Sequence, residues 1–149
     1  MKHLLTILAI LLTLTIQAQW SYSGNRYWTP NGDTASGDYS TAMGYFTKAT
    51  GDYSTAMGTQ TTASAYFSTA LGASTIASGR YSTAMGISSI ASDFASTVIG
   101  QYNLSGSTAT SAINYSELAP AFVIGNGSPN TKSDAFSVLF NGNTTIGGS

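Results

Sequence analysis

Asp38 and Asp52 stand fourteen residues apart, each in the motif Gly-Asp-Tyr-Ser-Thr-Ala-Met-Gly, and paired carboxylates are a natural starting point for hydrolysis or for binding a cation. Hydrolysis needs a concave pocket in which one carboxylate is tuned as acid and the other as base, and nothing in the surrounding text builds one. Calcium needs six to eight oxygens. The Gly-Gly-x-Gly-x-Asp repeat of calcium-binding rolls is missing, and Tyr66 and Arg80 take the places where further acids would stand, so no metal site is expected. Serines recur at 40, 54, 68, 82 and 96, but the single histidine is His3, inside a segment expected to be removed, so these hydroxyls lack a general base. There is no cysteine, which excludes disulfides and thiolate chemistry, and no glycine-rich phosphate loop. The residues predict no catalytic site, no cofactor and no enzyme.

The side chains best suited to a partner are aromatic. Tyr39, Tyr53, Phe67 and Tyr81 recur at the same spacing as the acids, and Trp20, Tyr22, Tyr27 and Trp28 form a second group upstream. Such rings offer large contact area at low entropic cost, which suits a protein or sugar ligand. The competing reading is that the rings of the first set stack on one another and seal a corner of the fold.

These residues are positioned by a repeat. Five units of fourteen residues run without insertion from Gly37 to Gly106, and Ala35-Ser36 ends a sixth whose beginning around Arg26, Tyr27 and Trp28 has diverged. Within each unit the fourth place is Ser, the fifth is Thr (41, 55, 69, 83, 97), and the eighth is Gly44, Gly58, Gly72, Gly86 or Gly100. A unit this short, rich in Ser and Thr with a fixed Gly, is a poor helix and too small for a propeller blade. It suits a coil of two short strands and two turns, with the glycines at turns. Parallel stacking at ~4.8 Å would make five coils a rod of about 24 Å. Alternation in Ser-Thr-Ala-Met-Gly puts Ser, Ala and Gly on one face and Thr with Met on the other. The expectation is that Met and Leu fill the coil and that the small faces pack several rods into an oligomer.

Before the repeat, Lys2 and the apolar run from Leu4 to Ile16, followed by Ala18, read as a signal peptide over 1–18, too short for a membrane span. The mature chain then carries four basic residues against six acids, a net charge of −2 with no basic patch, so nucleic acid is not an expected partner. Only 7% of residues are charged, and polarity comes instead from 43 Ser and Thr. That composition argues for order. The triplets beginning at Asn103 and Asn114 match the glycosylation pattern, as chance allows in so Ser-rich a chain. The organisation read from the text is a divergent segment at 19–36, a roll at 37–106, a linker at 107–118 and short strands at 119–149, with turn signals at Asn126-Gly127 and Asn141-Gly142.

Ser-Thr-Ala-Met-Gly, followed six residues later by Ala-Ser-Gly-Asp-Tyr or Ala-Ser-Gly-Arg-Tyr, resembles the head repeats of YadA-like trimeric autotransporter adhesins over Ala35 to Gly106. The resemblance implies an all-β, left-handed parallel β-roll (solenoid) of 14-residue coils. It further implies a homotrimer displayed at a bacterial cell surface or outer membrane, holding a host matrix protein, a glycan or other cells. In this family the N-terminal end is the tip, where Trp20, Tyr22, Tyr27 and Trp28 lie. The chain departs from the family pattern in having Thr41, Thr55, Thr69 and Thr83 where Val is usual and Met43, Met57 and Met85 where Ile is usual. It also shows no coiled-coil stalk or barrel segment. The 119–149 strands fit either a cap on the roll or the start of a longer protein. Two alternatives stand beside the adhesin: a spacer or tail-fibre-like segment, and an ice-binding solenoid using Thr41, Thr55, Thr69, Thr83 and a second ladder of Thr47, Thr61, Thr75.

Overall fold

A computed structural model describes residues 21–23, 26–28 and 32–147; the expected signal peptide and Trp20 lie outside the described residues. Each coil contributes one five-residue strand and one two-residue strand. The long strands are β4 (Thr41–Tyr45), β6 (Thr55–Thr59), β8 (Thr69–Ala73), β10 (Thr83–Ile87) and β12 (Thr97–Gln101). The short ones are β3 (Thr34–Ala35), β5 (Lys48–Ala49), β7 (Thr62–Ala63), β9 (Ile76–Ala77) and β11 (Ile90–Ala91). Long strands pair in parallel with long and short with short, each residue opposite its counterpart fourteen positions on, as Thr41 with Thr55 and Lys48 with Thr62. The result is a parallel β-solenoid of two facing sheets.

The core is made of the small residues. Ala42, Ala56, Ala70 and Ala84, continued by Val98 and Val123, face Ala35, Ala49, Ala63, Ala77 and Ala91 across the coil, nearly all fully buried. Ser40, Ser54, Ser68, Ser82 and Ser96 and the column Thr47, Thr61, Thr75, Ser89 and Asn103 are buried beside them. The expected filling is therefore reversed. Met57 and Met85 are 39% and 41% exposed, on the outer face with the half-buried Thr ladder. A coil of fourteen residues leaves its two sheets too close for anything larger than Ala, Ser, Thr or Val between them, so the small faces are consumed within one chain and are not available to join rods.

The glycines are also placed differently from the turn assignment. Gly44, Gly58, Gly72, Gly86 and Gly100 each occupy the fourth place of a long strand, at φ between 93° and 144°. A Cβ on any of them would run into the carbonyl oxygen of the next rung's glycine, Gly125 being the partner of Gly100. Close stacking and positive φ both require glycine there. Chain reversal falls to two other places in every coil, filled by non-glycine residues in the left-handed region, such as Tyr39 (φ 55°) and Phe46 (φ 55°).

Both ends of the roll continue the ladder. Upstream, β2 (Arg26–Trp28) joins β4 with Tyr27 opposite Thr41, keeping the fourteen-residue spacing, and β1 (Ser21–Ser23) lies antiparallel on its outer edge. Downstream, β13 (Pro120–Asn126) lies parallel on β12, with Val98 opposite Val123 and Gly100 opposite Gly125. The spacing jumps from 83–97 to 97–122, so β13 is a further rung reached after an excursion. Antiparallel β14 (Asp134–Leu139) and β15 (Thr144–Ile146) extend this sheet to ten strands. The supposed linker is folded back on the roll: Asp93, buried where other coils have Gly or Ala, accepts the Thr110 and Ser111 N–H groups on Oδ1 at 2.6 Å each.

Candidate ligand-binding surface

Tyr39, Tyr53, Phe67 and Tyr81 sit at the third residue of a four-residue turn in successive coils, closed for example by the Ser40 N–H donating to Gly37 O at 3.3 Å. Their φ values lie between 54° and 59°, a region that costs L-residues roughly 1–2 kcal/mol. Stacking offsets this. Successive ring centroids are 5.1, 4.7 and 5.7 Å apart with interplanar angles of 9°, 6° and 15°, and such pairs contribute about 0.5–1.5 kcal/mol each. The four rings thus seal the corner of the roll while remaining between 43% and 56% exposed. Their faces are turned to one another, and what solvent meets is the file of ring edges.

A second file runs beside the first: Asp38, Asp52, Tyr66, Arg80 and Phe94. The Tyr66 ring meets Tyr53, Phe67 and Tyr81 edge-on, and the Arg80 guanidinium lies 5.4 Å from the Tyr66 centroid and 5.6 Å from that of Tyr81. The Asp52 carboxylate turns down the ladder to accept the Asp38 N–H at 2.9 Å, using one oxygen for the backbone. The Tyr53 phenol is held above its ordinary pKa, first by loss of hydration within the stack, then by the neighbouring Tyr66, Tyr39, Asp52 and Asp38 groups. Among the described residues, no three His, Cys, Asp or Glu side chains gather as a metal site.

Of the N-terminal aromatics within the described residues, Tyr22 is on β1 and Tyr27 and Trp28 on β2, at the roll's first edge. The second Thr ladder proposed for ice contact is internal, since Thr47, Thr61 and Thr75 are fully buried. Only the Thr41-to-Thr97 column faces outward, so a two-column Thr array does not form. Asn103 is likewise buried, its Nδ2 donating to Ile90 O and Ser105 O, and is not a glycosylation acceptor. The outer Met43, Met57, Leu71, Met85, Ile99 column, extended by Ile124 in register, is an apolar stripe that the sequence reading placed inside. The burial pattern follows from the closeness of the two sheets, and no single-residue signal announces it.

A repetitive parallel β-solenoid with an outward aromatic ladder defines the class of the chain as a β-solenoid repeat protein. Residues 35–61, 49–75 and 77–103 match the family described as the YadA head domain repeat (2 copies), so the roll is built of YadA-like head repeats, as found in trimeric autotransporter adhesins. No curated protein and no solved structure gives a significant match to the chain. No helix among the described residues is long and apolar enough to cross a membrane.

Proposed function

We propose that the chain is the head of a secreted, cell-surface adhesin that performs no chemistry and binds a host matrix protein, a glycan or another cell through the side of its roll. The observation that carries this reading is the in-register stack of YadA-like head repeats presenting a ladder of half-exposed aromatic rings. The working unit is a homotrimer. Its contact face is the Met43, Met57, Leu71, Met85 and Ile99 stripe, a continuous apolar line on a sheet whose other face is already filled by the core. Exposed apolar ladders of this kind mark interaction faces.

Light scattering on the purified protein, followed by binding to immobilised matrix proteins and glycans, tests the proposal. A trimer that binds one of them supports it. A trimer that binds none leaves the spacer reading, and a folded monomer would overturn the assembly.

A further inference from the structure

We propose that the row of turn amides beside the aromatic ladder is a docking row for a polypeptide segment that crosses the coils along the axis of the roll. The inference rests on the adhesive-surface reading and names the partner's chemistry at one place. Five amides form the row, those of Asp38, Asp52, Tyr66, Arg80 and Phe94. Three have protein acceptors. The Asp38 N–H donates to Asp52 Oδ1 at 2.9 Å, Arg80 to Ala112 O at 2.8 Å and Phe94 to Ser111 O at 2.8 Å. Among the described residues, the Asp52 and Tyr66 amides donate to no group of the protein.

The Arg80 and Phe94 amides show what the row accepts. Successive residues of this chain, Ser111 and Ala112, present their carbonyls to successive coils as the excursion crosses the rungs, anchored by Asp93. Beyond Ala112 no further carbonyl of the excursion meets the row among the described residues, and Tyr115 packs against the Phe140 ring at 5.2 Å. The next rungs in the same direction are Tyr66 and Asp52. A second segment continuing this path would place carbonyls on both amides and lay side chains along the Tyr53 and Phe67 ring edges. Its basic groups would meet Asp38 and Asp52 at one end, and acidic ones Arg80 at the other. A polypeptide fits better than a sugar because the rings have already turned their faces to each other, leaving edges and amides as the recognition groups.

A synthetic peptide copying residues 107–115, titrated to millimolar concentration into the isotopically labelled protein, tests this by amide chemical shifts. Saturable movement of the Asp52 and Tyr66 signals is expected. Tyr66 is the second residue of its turn, a place that accepts proline, so Tyr66→Pro removes the N–H with the turn retained. It should weaken binding about three- to tenfold, and more than Tyr66→Ala, which loses the ring but keeps the N–H. Circular dichroism checks the fold; if Tyr66→Pro unfolds, Asp52→Pro against Asp52→Ala asks the same question at the next rung. The proposal is overturned by no saturable shift, by shifts confined to Arg80 and Phe94 (exchange with the tethered segment), or by equal losses in the Pro and Ala variants. Retained trimer binding to a matrix protein or glycan in any of those cases would remove the docking row and leave the adhesin reading standing.

Discussion

Asp33 Oδ1 accepts both the N–H and the hydroxyl of Thr47, at 2.7 and 2.8 Å, while its Oδ2 accepts the Gly44 N–H at 3.0 Å. Asp33 stands one coil before Thr47 in the buried Thr column, and it closes that column where the regular repeat begins. Asp33→Ala would strand a buried amide and hydroxyl, each costing about 1–3 kcal/mol when left unpaired. A loss of about 2–4 kcal/mol is expected, read from the midpoint of urea unfolding. A shift under about 0.5 kcal/mol would show that water replaces the carboxylate without cost.

Asn103 closes the same column at the other end. In the coils before it, the first residue of each short strand donates to a backbone carbonyl of the next coil, as Ile76 N–H does to Ser89 O at 2.9 Å. Ile90 N–H instead finds Asn103 Oδ1 at 2.8 Å, and Asn103 Nδ2 donates to Ile90 O and Ser105 O. Asn103→Asp keeps the acceptor and loses both donations, so it should destabilise by about 2 kcal/mol or more, whereas Leu104→Ala, at a 55% exposed neighbour, should change little.

Gly72→Ala sets a methyl against the Gly86 carbonyl and forces φ 118° on a residue with a Cβ. The expected result is loss of more than about 3 kcal/mol or failure to fold, seen as a lower melting temperature and weaker β circular dichroism. An unchanged melt would mean that the rungs separate more easily than the ladder implies.

Met85→Lys places a charge on the outer stripe without touching the Ala core. Circular dichroism of the coil should be retained while light scattering shows the proposed trimer falling to monomer. A trimer that tolerates the charge would move the contact face elsewhere.

Tyr53 links the ladder to pH. Its pKa is raised in the folded protein, so the unfolded chain ionises first as pH climbs past its ordinary value of 10.0. The contribution to stability is complete below that pH and is lost as pH rises through the folded pKa. Tyr53→Phe should remove a late-titrating component from the phenolate absorbance of the folded protein; an unchanged titration curve would show that the Tyr53 pKa is not raised.

Much of the roll was legible in the sequence because a fixed period forces a fixed pairing. Once Ser, Thr and Gly recur every fourteen residues, stacking in register is the arrangement that places like beside like, and Thr41 opposite Thr55 follows. The same period marked the glycine column and the aromatic ladder, whereas Tyr27, in a stretch read as divergent, is established as a rung opposite Thr41 only by the pairing. Alternation along Ser-Thr-Ala-Met-Gly separates two faces but does not say which points inward, and volume alone favours burying Met. The tertiary structure decides otherwise, because reversals at residues such as Tyr39 and Phe46 bring the sheets so close that mostly Ala, Ser and Thr, with Val98, Val123 and Asn103 toward one end, fit between them. Val123 belongs to the ladder although its spacing breaks the period. The Val-Ile-Gly shared by 98–100 and 123–125 was the available hint, but only pairing across the 107–117 excursion establishes it. Asp33 and Asn103 gain their roles from what their side chains reach one coil away, Thr47 and Gly44 for Asp33 and Ile90 for Asn103, a circumstance of position in space that a residue's identity does not carry.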